Sequence, residues 1–133
     1  MQVPFGPQLI GEAEKTLNAL LRRFLRDTGL TEPQWVVLRI AESIDAGSDE
    51  ALIREAVERA HFEDAAELVA GLTRKGLTSA GRLTPVGREL TAEVRATIAR
   101  ETAPIWGDLP ADDVAAATSL LNEVVARARA VLA

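Results

Sequence analysis

Apolar residues recur along this chain at helical spacing in six segments. In the first segment they follow the i, i+3, i+4, i+7 rule, which predicts a helix from about Leu9 to Asp27 that ends at Gly29. The apolar stripe of this helix consists of Ile10, Ala13, Leu17, Leu20, Leu21 and Phe24. A second helix is predicted from Pro33 to about Ser43, because Thr31 and Gln34 have the spacing of a capping box at its start.

The helical pattern returns from Asp49 to Lys75, where a break near His61 predicts two helices rather than one. The stretch from Leu77 to Thr84 has a Ser-Ala-Gly centre, which predicts a tight hairpin with very short strands. A long helix is predicted from Pro85, and a final helix is predicted to follow Leu109-Pro110. The pattern therefore predicts a mostly α fold with one small β-hairpin.

Length and composition narrow the class of protein. With 133 residues, of which 47% are hydrophobic and 26% charged, the chain is expected to form a single domain over residues 1–133. The chain has no cysteine and one histidine, His61, so the sequence offers no thiolate or multi-histidine metal site. It has neither a Gly-rich phosphate loop nor a Ser-His-Asp set. We therefore expect neither an enzyme nor a cofactor.

Segments that cross a membrane or direct export have recognisable patterns. This sequence has no apolar run of about 18 residues, and its first residues lack a basic segment followed by an apolar one. We therefore expect a cytoplasmic protein without membrane contact.

Three short motifs occur in the order and approximate spacing found in one family of regulators. They are Leu30-Thr31-x-x-Gln34-Trp35-x-Val37-Leu38, Leu68-x-x-x-Leu72-x-x-Lys75-Gly76-Leu77 and Leu83-Thr84-x-x-Gly87-x-x-Leu90. Taken together, from about Leu9 to Leu132, the chain resembles MarR-type winged helix-turn-helix transcription regulators. The resemblance implies a homodimer that binds double-stranded DNA and responds to a small ligand.

The resemblance also divides the chain. It implies a winged helix-turn-helix lobe at about 30–90 and dimerisation helices at about 9–28 and 91–132. The candidate dimer-interface residues lie on the apolar stripes of those helices and are Ile10, Leu17, Leu121, Val125, Ala128 and Leu132. The family often binds small aromatic ligands beside the lobe, and the candidate pocket residues are Arg23, Trp35 and Trp106. A tryptophan at an apolar periodic position such as Trp35 also fits a core residue.

By the same resemblance, the recognition helix runs from about His61 to Arg74 and enters the major groove. The candidate residues facing the groove are Phe62, Glu63, Asp64 and Glu67. The candidate phosphate contacts are Arg54, Arg59, Arg74, Lys75 and Arg82.

The charge pattern departs from the family. The chain has a net charge of −5, and the stretch from Asp49 to Gly76 has seven acidic and four basic residues, a net charge of −3. Glu63 and Glu67 have the i, i+4 spacing that places two carboxylates on one helix face. The short hairpin leaves Arg82 as its basic residue. A second interpretation therefore stays open, in which a winged-helix dimer has lost DNA binding and serves as a ligand-binding or protein-interaction module.

Overall fold

The computed structural model describes residues 2–133, which form six helices and one hairpin. The helices are α1 (Pro7–Leu25), α2 (Glu32–Ser43), α3 (Asp49–Ala60), α4 (Ala65–Arg74), α5 (Pro85–Trp106) and α6 (Ala111–Leu132). Strands β1 (Thr78–Ser79) and β2 (Arg82–Leu83) pair antiparallel, with Thr78 opposite Leu83. The prediction of a mostly helical chain with one small hairpin is confirmed.

The chain divides into two compact units, and the boundary lies within α5. The first unit ends at Ile98, and the second is Ala99–Ala133. In the first unit α2, α3 and α4 pack against one another, α1 and β2 pack against α2, and β1 packs against α4. None of the helices within residues 2–133 combines the length and the apolar character needed to cross a membrane.

Helix α2 lies at the centre of the first unit. Its side chains Val37 and Leu38 are completely buried, and Leu52 of α3 and Leu72 of α4 are buried to the same extent. The start of α2 has the predicted capping box, because the backbone N–H of Gln34 donates to the Thr31 hydroxyl while the Gln34 side chain accepts from the Thr31 N–H. Burial of these apolar side chains supplies the main stabilisation of the unit.

Helix α1 begins and ends two residues earlier than predicted. It begins at Pro7, where the fixed φ of proline suits the first turn. It ends at Leu25, because both the hydroxyl and the backbone N–H of Thr28 donate to the Leu25 carbonyl, at 2.7 and 3.0 Å. These bonds turn the chain through Gly29 towards α2.

The predicted start of the recognition helix, His61, lies four residues before the observed start of α4 at Ala65. His61 adopts the left-handed conformation, with φ 57° and ψ 32°, and ends α3 by donating its N–H to the Val57 carbonyl. Phe62 then packs against the core, and α4 begins only at Ala65. A left-handed residue cannot continue a right-handed helix, which is why the prediction of a helix from His61 is wrong.

Candidate nucleic-acid interface

Helix α4 is amphipathic and presents one polar face to solvent. Ala65, Val69 and Leu72 are buried in the core, whereas Glu67 and Arg74 are exposed. An exposed ion pair joins these last two side chains, with 3.8 Å between Arg74 Nη2 and Glu67 Oε1. The outer face of α4 therefore carries charges of both signs.

The approach to α4 is acidic. Glu63 and Asp64 are exposed in the turn between α3 and α4, and Asp64 occupies the N-cap position without a capping hydrogen bond from its side chain. Because Glu63 lies outside the helix, the predicted placement of Glu63 and Glu67 on one helical face is wrong. The three carboxylates instead surround the first turn of α4, where the helix dipole favours negative charge.

A two-residue turn closes the hairpin. Ala80 and Gly81 have φ values of 52° and 80°, and positive φ at both central residues is typical of a type I′ turn. The side chains of Thr73 and Thr78 are hydrogen-bonded at 3.1 Å, which fastens β1 to α4. Strands of two residues make this a very small hairpin.

The hairpin is held against the loop between α2 and α3. The Gly81 N–H donates to Asp49 Oδ1 at 2.8 Å, and Gly81 lies so close to the Ser48 carbonyl that a Cβ atom would overlap it. Arg82 Nε donates to the Ala46 carbonyl at 3.1 Å, and Arg82 Nη2 lies 3.1 Å from Asp45 Oδ1. The guanidinium of Arg82 therefore already has a hydrogen-bond partner and an ion-pair partner within the chain.

The other candidate phosphate contacts lie at separate places. Lys75, at the carboxyl end of α4, donates its Nζ to the Gly29 carbonyl at 2.8 Å. Arg54 is exposed on α3 and forms no ion pair among residues 2–133. Arg74 and Lys75 lie about 15 Å along the helix from the acidic turn, since each residue advances an α-helix by about 1.5 Å. The backbone of Arg74 and Lys75 is thus at the opposite end of α4 from Glu63 and Asp64, although the Arg74 side chain reaches back to Glu67.

Arg59 belongs to a different site. A cleft of about 450 Å³ in the first unit is lined by three arginines from three helices, Arg39 of α2, Arg59 of α3 and Arg95 of α5. We call it the arginine cleft. Arg39 and Arg95 were not predicted as site residues. Arg95 lies 53 positions from its partner Glu42, and only the fold brings the two together.

The candidate ligand residues differ in burial. Trp35 is 3% exposed and packs within the core of the first unit, which fits the alternative interpretation of this residue as a core side chain. Arg23 is exposed on α1. Trp106, in the second unit, is 53% exposed. The ligand pocket formed by these three residues stays a prediction.

The candidate dimer residues leave apolar surface in contact with solvent. In the second unit, Leu121, Val125 and Leu132 are 41%, 45% and 71% exposed, and Ala128 is also exposed. On α1, Leu17 is 37% exposed and Ile10 is half-buried. The α6 residues are thus exposed, whereas the α1 stripe is partly covered, since Leu21 packs against the core.

Comparison with known proteins adds no relative, since no protein-family model and no curated protein matches this chain.

Proposed function

We propose that the chain is a MarR-type winged-helix protein that binds double-stranded DNA as a homodimer and regulates transcription. The observation that carries the proposal is the order and packing of α2, α3, α4 and the hairpin within one compact unit. In a helix-turn-helix protein the second helix of the motif enters the major groove, and α4 would take that place with its polar face outward. The hairpin that directly follows α4 would be the wing.

The exposed apolar stripes support the dimer. A 22-residue helix without one buried residue, as α6 is, leaves Leu121 and Val125 in water. Burial of apolar area is the main driving force of association, and a symmetric dimer covers the same stripe on both chains. The response to a small ligand rests on the resemblance alone.

The charges set the expected mode of DNA binding. Exposed ion pairs such as Arg74–Glu67 contribute little net stability, so a DNA phosphate can take the arginine from its carboxylate. Arg54 is available without such an exchange. Because few cations act against several carboxylates, we expect weak binding that is detectable mainly at low salt.

A second candidate function has its own supporting observation. The three carboxylates Glu63, Asp64 and Glu67 surround the start of α4, where they would repel phosphate but attract a basic protein. In this alternative the dimer is a ligand-binding or protein-interaction module that has lost DNA binding.

The test is a selection of duplexes from a random-sequence pool by the purified protein at low salt. We expect one sequence to be enriched and bound more tightly than its scrambled control. Arg54→Gln and Arg74→Gln should each weaken binding of both duplexes, whereas Arg127→Gln, in the second unit, serves as the control for lost charge. No enrichment, together with no binding at 0.01 M salt, would overturn DNA binding and favour the alternative.

A further inference from the structure

Three helices of the first unit bring cationic side chains to the arginine cleft. Arg39 is exposed and has no ion pair within residues 2–133. Arg59 Nη1 donates to the Ser43 hydroxyl at 3.0 Å and Arg59 Nε lies 3.0 Å from Glu55 Oε2, while Arg95 pairs with Glu42. Neighbouring side chains therefore hold Arg59 and Arg95 at the cleft, whereas Arg39 has no ion pair to hold it.

The lining of the cleft combines this charge with an apolar part. Ile40 is buried, and Val36 and Ala60 are half-buried. Three of the lining residues are cationic and Glu42 is anionic, and Glu55, the ion-pair partner of Arg59, lies beside the cleft, so the local excess is one positive charge. The whole chain has a net charge of −5, so this concentration of positive charge is local. A ligand that fits needs an anionic head and a small apolar body.

We propose that the arginine cleft binds a small organic phosphate monoester. Each guanidinium presents donors in a planar fork, and the three terminal oxygens of a monoester can accept from all three arginines. A carboxylate has only two oxygens, and a phosphodiester has one charge. The apolar organic group would then lie against Val36 and Ala60.

Binding would exchange one partner of Arg95 for another. Arg95 of α5 is held by Glu42 of α2 in an exposed ion pair, and such pairs contribute little net stability. A dianion inside the cleft competes with the single carboxylate of Glu42 for the same guanidinium. The bound phosphate would thus replace the direct α2–α5 ion pair with a bridge through the ligand.

The experiment is a calorimetric titration of the full chain at low salt with phenyl phosphate, inorganic phosphate and benzoate. We expect phenyl phosphate to bind tighter than inorganic phosphate, because of the apolar lining, and tighter than benzoate, because of the third oxygen. Arg39→Gln, Arg59→Gln and Arg95→Gln should each weaken phenyl phosphate on the order of tenfold, since hydrogen bonds to charged groups are lost.

Arg88→Gln is the matched control, because Arg88 is exposed on the same helix as Arg95 and donates to the Leu83 carbonyl outside the cleft. The Arg88→Gln variant should bind phenyl phosphate as tightly as the unchanged protein does. A second readout needs no variant, since phenyl phosphate should shift the backbone amide resonances of Ser43 and Ala60.

Two results would overturn the proposal. One is the absence of phenyl phosphate binding, or equal affinity in the cleft variants and Arg88→Gln. The other is a random duplex that loses affinity in Arg39→Gln and Arg95→Gln while phenyl phosphate does not bind, which would identify the DNA backbone as the source of phosphate. The titration contains no DNA, so its outcome is independent of the proposed DNA-binding function.

Discussion

The backbone N–H of Gly81 donates to Oδ1 of Asp49 over 2.8 Å and so joins the turn of the hairpin to the first residue of α3. The bond connects residues 32 positions apart. It also gives a partner to a partly buried backbone donor that has few alternatives in a two-residue turn.

Replacement of Asp49 by alanine should lower the free energy of unfolding by about 1 to 2 kcal/mol, because the Gly81 N–H loses its acceptor. Urea unfolding followed by circular dichroism measures this change. Glu50→Ala is the control, since Glu50 also lies in the first turn of α3 but has no bond to the hairpin. The free energy of unfolding of Glu50→Ala should fall by less than about 1 kcal/mol, because this variant loses only the interaction of a carboxylate with the helix dipole. Equal losses in the two variants would contradict the assigned role of the bond.

Gly81→Ala should destabilise the protein by more than about 2 kcal/mol. A side chain at φ 80° is strained, and its Cβ would overlap the Ser48 carbonyl. The urea midpoint should fall accordingly. A variant as stable as the unchanged protein would show that the turn is not held against the loop.

Ala80→Asn should have the opposite sign. Ala80 is left-handed, with φ 52°, and asparagine followed by glycine is the preferred pair for a type I′ turn. We expect a gain of about 0.5 to 1 kcal/mol, because asparagine tolerates this conformation better than alanine. A lower urea midpoint in this variant would refute the type I′ assignment.

Local chemistry explains which parts of the fold were predictable. The capping box of Thr31 and Gln34 and the turn at Gly81 depend on neighbours within a few residues, so their positions follow from the sequence. The left-handed conformation of His61 could not be predicted, because a histidine adopts positive φ much less often than a glycine does. The arginine cleft could not be predicted from the sequence, since Arg95 and Glu42 are 53 positions apart and meet only in the folded chain.

Removal of the carboxylates at the start of α4 should raise affinity for non-specific DNA in the proposed complex. The triple variant Glu63→Gln, Asp64→Asn and Glu67→Gln removes repulsion from phosphate and frees Arg74 from its ion pair. The effect should be largest at 0.01 M salt, where the Debye length is about 30 Å, and small at 0.15 M, where it is about 8 Å. Fluorescence anisotropy with a labelled duplex measures it.

The control for this variant is a second triple variant that loses three carboxylates far from the start of α4 in the sequence. Glu12, Glu89 and Glu93 are exposed on α1 and α5, and their replacement by glutamine should raise affinity less. A folded triple variant that gains no affinity at 0.01 M salt would refute contact between α4 and DNA.

Aspartate at Leu121 and Val125 should convert the proposed dimer into monomers or aggregates. The two side chains are 41% and 45% exposed in the single chain, and an unpaired carboxylate is costly in an apolar interface. Light scattering coupled to size exclusion gives the mass. Ser119→Asp with Asn122→Asp, at exposed polar positions of α6, should leave the dimer intact. A dimer that survives both double substitutions would place the interface elsewhere.

The length of the hairpin limits how much sequence the proposed complex can discriminate. The hairpin has only two residues per strand and a two-residue turn, and the guanidinium of its basic residue Arg82 already has partners in Ala46 and Asp45. Base recognition would therefore fall to the ten residues of α4 alone. So short a helix contacts few base edges, and an operator half-site would therefore contain few fixed bases. Each of them would contribute about 1 to 3 kcal/mol of discrimination. Selectivity in a genome would then depend on the spacing of two such half-sites along the duplex.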